Sequence, residues 1–370
     1  MTSNAVNKCA LIKVTVAENE VTAGSLVKGT IHVDGSCLSS HRPQVTLRLG
    51  LVGREVAHVH RGYHDESKTN SIVYKEGRIF LSRKKSWEYK ELRTAQQHCH
   101  ENRDDGEDSS SRASSDGNIT MDFAFPLPNE LPSAFEEEMP LDSPIHFPWS
   151  KCRVEYFLQA SLVQVSTKLT DADSSGKHES SISSEPCILC VRRLIHQVLH
   201  NKVSLQIADL ISRPQFVFCG LFEQNYETFV IAPVSLSEIH WSPTQQPAVT
   251  ICLSDPHGHL KPKASGTYRL QVVLVQRIAW QAQQNATLPL EESWTLEPFL
   301  FWKGGGDAAS SLLVDGEIVL PTTLLLRESY MGQLVQVEHH VVFSMHQKTL
   351  GATEWSLVGS STQIPLLIQR

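Results

Sequence analysis

Three consecutive cations, Arg83, Lys84 and Lys85, follow the apolar run RIFLS, with Lys90 and Arg93 close behind. Lys13 lies in the first alternating segment, and Lys151 and Arg153 begin another, CRVEYFL. Ammonium and guanidinium groups gathered in this way can donate charge-assisted hydrogen bonds to phosphate or carboxylate oxygens. A plainer use competes with that one, since natural sheets place lysine on edge strands to keep them from pairing. Any basic patch is local, because the whole chain carries a formal charge of -7. That balance excludes a general nucleic-acid binder, whose affinity comes from clustered Lys and Arg that displace counterions.

Other reactive side chains form no recognisable catalytic or metal-binding pattern. Cys187 and Cys190 have CxxC spacing, but a zinc site needs a second ligand pair, and only His98, Cys99 and His100 are candidates. The apolar residues around them make Cys187 and Cys190 strand cysteines. His58 and His60 alternate in VAHVHRGYH, with His64 nearby, which places the first two on one strand face as solvent-facing residues. The chain holds no GxSxG, HExxH or P-loop, and no GxGxxG after a strand; Gly304-Gly305-Gly306 lacks the Lys and Ser/Thr of a phosphate cradle. No catalytic residue, no metal ligand and no cofactor is expected. A metal-dependent enzyme is the remote alternative.

The elements that must carry these residues are short runs of period two, rich in Val, Ile, Leu, Thr and Phe. CALIKVTVAE, SLVKGTIHVDG, QVTLRLGLVGREV, RIFLSR, NITMDFAFPL, CRVEYFLQASLVQVST and CILCVRRLI repeat the idiom in the first half. KVSLQIADLI, AVTICLSD, TYRLQVVLVQRIAW, LVQVEHHVVFSMH and TQIPLLIQR continue it. One weak candidate helix is ESKTNSIVYKEG. Many strands separated by turn residues predict an all-β chain of two sandwiches, and 370 residues suit two such domains. The boundary is expected near 195, giving domains 1–194 and 195–370.

Three segments interrupt the alternation. In 96–117 six acids against two bases leave a surplus of four negative charges, and the segment is expected to be a disordered loop. Its Ser110, Ser114 and Ser115 are candidate phosphosites, the last two beside Arg112. The stretches 170–186 and 303–311 read as loops as well. Eight scattered cysteines, no signal peptide, no lipidation motif and no run of roughly 18 apolar residues predict a reduced, cytosolic protein.

Two stretches say more. ENEVTAGSLVKGTIHV resembles the opening of the arrestin N-domain, with Val21, Gly24, Val27, Gly29 and Ile31 at the family's positions and Ala23 where Pro is frequent. MDFAFPLPNELPSAFE is similar to the family's F-x-F-x-L-P-x-x-L-P-S-S-F segment through Phe123, Phe125, Leu127, Pro128, Leu131, Pro132, Ser133 and Phe135. Val154, Tyr156, Leu158, Ala160 and Leu162 match a following strand. The later likeness is looser: Val337 and Val341 fit, His339 stands where an aromatic residue is usual, and QIPLLI resembles the closing strand. Physically, Gly24 permits a turn of positive φ, Gly29 allows a close approach, and the prolines take the chain out of the sheet after Phe125.

The resemblance implies two tandem immunoglobulin-like β-sandwiches, the arrestin fold, and a non-enzymatic adaptor. Its expected partners are cytosolic tails of membrane receptors or transporters, with ubiquitin-ligase or coat components and peripheral membrane contact. It implies a cytoplasmic protein recruited to the plasma membrane or endosomes, in endocytosis, protein transport or signal transduction. Phosphate or anionic lipid would be bound by Lys13, Arg83, Lys84, Lys85, Lys151 and Arg153. No Pro-Pro-x-Tyr motif is present, so contact with a ligase would use folded surface or loops. The alternative within the same fold is a constitutive subunit of an endosomal sorting complex of the retromer type.

Overall fold

A computed structural model describes residues 11–35, 45–65, 68–88, 90–92, 94, 119–139, 150–167, 177–193, 202–217, 222–234, 239–241, 248–257, 266–303, 312–321, 323–324, 326–349 and 353–368. The described chain is nearly all β, with a short helical stretch at 90–92. Its contacts divide it into two compact units, one of Met1–His58, Lys75–Glu138 and Lys151–Leu194, the other of Val59–Tyr74, Met139–Ser150 and Ile195–Arg370.

In chain order the first ten strands are β1 (Ile12–Val16), β2 (Glu20–Thr22), β3 (Leu26–Val33), β4 (Val45–Asp65), β5 (Lys68–Glu88), β6 (Ile119–Pro126), β7 (Phe135–Glu138), β8 (Lys151–Thr167), β9 (Lys177–Ser183) and β10 (Cys187–Arg192). One sheet has the order β1-β3-β6, and a second the order β2-β10-β8-β4-β5, with β7 and β9 also paired to β8. The period-two pattern dictates which faces are buried. Leu47, Leu49 and Leu51 of β4 and Tyr156, Leu158, Ala160 and Leu162 of β8 are wholly enclosed, while Arg48, Gly50, Phe157, Gln159 and Ser161 between them are less buried.

The special backbone positions behave as their chemistry requires. Gly24 has φ +84°, in a turn where an added Cβ would lie 2.3 Å from Asn129 Oδ1. A Cβ on Gly29 would come within 2.2 Å of the Thr15 carbonyl oxygen and 2.7 Å of the Phe123 ring, so this glycine lets β1 and β3 close up. β6 ends at Pro126, which cannot extend the ladder.

Two expectations change. The segment expected to be a short helix lies in β5 from Lys68 onward, because Thr, Ile, Val and Tyr favour an extended chain and β4 offers a partner strand. In the expected loop 170–186, Lys177–Ser183 forms β9, antiparallel to β8. A polar segment can join a sheet at its edge, where backbone hydrogen bonds suffice and neither side-chain face must be buried. The acidic stretch 96–117 and the stretch 304–311 lie outside the described residues.

The remaining strands are β11 (Lys202–Val217), β12 (Phe222–Pro233), β13 (Ile239–Trp241), β14 (Ala248–Ser254), β15 (Gly266–Ala282), β16 (Asn285–Ala286), β17 (Leu290–Lys303), β18 (Leu312–Val319), β19 (Tyr330–Met331), β20 (Val335–Thr349), β21 (Ser356–Leu357), β22 (Gly359–Ser360) and β23 (Thr362–Ile368). They make a sheet β18-β14-β11-β12-β22 and another, β13-β23-β20-β15-β16, to which β17, β19 and β21 are added. One buried cluster draws on both sheets, with Leu205, Ile207, Ile251 and Leu253 from the first and Trp241, Leu270, Leu274 and Phe343 from the second. Among the described residues no helix is long and apolar enough to cross a membrane.

Candidate functional site

Strand pleating decides what the basic run can do. Neighbouring residues of a strand face opposite ways, so β5 sends Arg83 and Lys85 to one side and Lys84 to the other. All three are exposed. Lys85 Nζ lies 5.1 Å from the centre of the Trp87 ring, a cation–π contact that holds its ammonium group against the sheet. Arg78 Nε is 3.1 Å from Glu76 Oε1. Arg83 and Lys84 have no carboxylate partner among the described residues. Beside them Ile79 is 64% and Phe80 38% exposed, and β5 pairs with β4 alone among the described strands. The result is a sheet edge with uncompensated cations and apolar side chains.

The other expected cations lie elsewhere. Lys13 is exposed on β1, opposite His32 of β3, in the three-stranded sheet. Lys151 and Arg153 lie on β8, separated from β5 by β4. Both are engaged: Lys151 Nζ is 3.8 Å from Glu136 Oε1, and Arg153 Nε is 2.9 Å from Glu155 Oε2. The Arg54 guanidinium also pairs with Glu155 and lies 5.0 Å from the Phe157 ring centre. One half-buried carboxylate thus holds two guanidiniums. The six cations do not gather into one patch. Ser110, Ser114 and Ser115 lie outside the described residues.

Cys187 and Cys190 are free thiols on β10; their spacing on a strand sends them to opposite faces, and burial pushes the Cys187 thiol up. His58 and His60 are half-buried on β4. Among the described residues no three His, Cys, Asp or Glu side chains gather as metal ligands would.

The second unit contains a buried polar chain with no local signature in the sequence. Gln276 Nε2 donates to Glu292 Oε2 at 3.1 Å, which leaves its Oε1 as the acceptor for Arg327 N–H at 2.7 Å. The same oxygen faces His339 Nε2 at 3.1 Å, so that nitrogen carries the imidazole proton. His339 Nδ1 then accepts from the Ser329 hydroxyl at 2.9 Å. Ser329 Oγ accepts Ile368 N–H at 2.9 Å, and Ser329 N–H donates to the Ile368 carbonyl at 3.0 Å. Desolvation, with a smaller contribution from the neighbouring His340, lowers the His339 pKa to about 3. A serine, an imidazole and an amide in line resemble a nucleophile with its base. Here the base is too weak and the serine oxygen already fastens β23, so the set acts as a clamp.

No protein-family model matches the chain, and no curated protein matches it in sequence.

Proposed function

We propose that the chain is a non-enzymatic adaptor built on two tandem immunoglobulin-like sandwiches of the arrestin type. In this reading it works in the cytosol, is recruited to the plasma membrane or endosomes, and links the tails of receptors or transporters to ligase, coat or signalling components. The observation that carries it is the β5 edge, where Arg83 and Lys84 stand without a carboxylate among the described residues, beside exposed Ile79 and Phe80. Uncompensated charge next to apolar surface suits recognition of a partner. Two glycines that resemble the family's positions, Gly24 and Gly29, also do structural work.

The test is to tag the protein in its native cells, crosslink gently and identify co-purifying proteins in mild detergent. Membrane receptors or transporters at substoichiometric levels, with ligase or coat components, are the expected result. One or two soluble partners at near-equal stoichiometry would replace the adaptor with a sorting-complex subunit of the retromer type.

A further inference from the structure

β5 is 21 residues long, far beyond the usual five or six of a strand, and among the described residues only one of its sides is hydrogen-bonded. A long edge leaves a row of backbone N–H and C=O groups open to pairing with another chain. Protein sheets ordinarily blunt such an edge with charges, prolines or bulges. The protection here is incomplete. The stretch Lys75–Glu88 contains no proline, Ile79 and Phe80 are exposed, and the Arg78 charge is offset by Glu76. Of its other cations, Lys85 lies over the Trp87 ring, while Arg83 and Lys84 face opposite sides of the strand and have no acidic partner among the described residues.

From this we infer that the edge of β5 over Ile79–Glu88 is a docking site for an extended acidic peptide, which adds to the sheet as a further strand. The inference rests on the adaptor reading and names the chemistry of what it would hold. Unpaired backbone groups supply affinity without regard to sequence, and alternate side chains supply selectivity. Carboxylates on the incoming strand reach Arg83 on one face and Lys84 on the other, while apolar residues between them cover Ile79 and Phe80. The open ladder favours a peptide over a lipid surface, because headgroups offer no matching row of amides and carbonyls.

The probe is a synthetic peptide in which Glu-Glu pairs alternate with runs of Val, so that each face of the added strand carries both carboxylates and apolar side chains, alongside the same peptide N-methylated at alternate amides and a Lys-for-Glu version. Binding to the full chain is read by fluorescence anisotropy, and its location by hydrogen exchange of the β5 amides. The acidic peptide is expected to bind and to slow exchange within Ile79–Glu88. Methylation should abolish binding, the Lys version should not bind, and R83E/K84E should weaken affinity about tenfold, the scale of 1.4 kcal/mol. Circular dichroism and the melting midpoint of R83E/K84E establish that the variant is folded.

Equal binding of the methylated peptide would overturn strand addition, and protection confined to β1 or β9 would overturn the location. Phosphatidylserine vesicles that protect β5 while the peptide does not would assign the surface to a membrane. If receptor tails still co-purify with the protein while no peptide reaches β5, this inference falls and the adaptor stands. If only a stoichiometric soluble partner is recovered while the peptide binds β5, the adaptor falls and the docking edge remains.

Discussion

His339 and Ser329 meet at 2.9 Å, imidazole Nδ1 to hydroxyl, and through that contact a buried neutral histidine supports the hydroxyl that fastens β23. The imidazole must stay uncharged, because its Nε2–H is committed to Gln276 and its surroundings exclude water. This makes the second unit sensitive to acid in a calculable direction.

The folded-state pKa of His339 is about 3, against 6.5 for an ordinary histidine. Above pH 6.5 both folded and unfolded forms are neutral, so the group contributes no pH dependence there. As pH falls below 6.5 the unfolded chain takes up the proton and the folded one does not, so stability declines until about pH 3. The expected slope from this residue is roughly a tenfold loss in the folding constant per pH unit. Urea midpoints at stepwise lower pH measure it, and His339→Phe should flatten the curve. An unchanged slope in that variant would show that other groups govern acid unfolding.

Ser329→Ala removes the acceptor for Ile368 N–H and the donor to His339 in one step. A loss of about 1–3 kcal/mol is expected, the scale of leaving buried polar groups unpaired. Hydrogen exchange should be fastest relative to wild type in Thr362–Ile368, and uniform acceleration across the unit would contradict a local clamp.

Gly53 and Gly50 lie on the same strand and should respond oppositely to alanine. A Cβ on Gly53 would lie 2.8 Å from the Tyr156 ring and 2.9 Å from Phe80, whereas on Gly50 its nearest neighbour is 3.9 Å away. Tyr156 has little room to yield, since its hydroxyl donates to the Pro132 carbonyl at 2.7 Å. Gly53→Ala should therefore cost about 1–3 kcal/mol through overpacking. Gly50→Ala should be neutral or slightly stabilising, because alanine restricts the unfolded chain. Thermal melts of the two variants decide the matter.

Glu155→Gln removes the charge that Arg54 and Arg153 share, leaving two guanidiniums side by side on neighbouring strands. Both arginines are more than a third exposed or nearly so, and solvent screening holds the expected loss to about 1–2 kcal/mol. A double-mutant cycle with Arg54→Met should return a coupling energy clearly above zero. The exposed Lys151–Glu136 pair, tested the same way, should give a value near zero.

What the sequence made legible follows the range over which each signal acts. Alternation in QVTLRLGLV and VEYFLQASL is a nearest-neighbour property, and those stretches are strands that bury alternate residues. Gly24 and Gly29 announce a turn and a close approach because no other residue fits there. β9 escaped notice because an edge strand of Ser and Glu carries no apolar signal. The basic run looked like one cluster in one dimension, and the pleat divides it between two faces. The clamp was hidden for a different reason: Gln276, Glu292, Ser329 and His339 come from separate strands and loops, and no spacing rule joins them.

The place of β23 also sets a timetable for assembly on the ribosome. It lies inside its sheet, between β20 and β13, and among the described strands it is the only partner of β13. Trp241 of β13, 1% exposed in the finished unit, therefore leaves the exit tunnel long before Leu366–Ile368 can align beside it. A nascent chain halted before residue 362 has an unfilled slot in its sheet and an indole with no strand beside it. Such an intermediate is a natural client for chaperones that hold apolar surface until synthesis catches up.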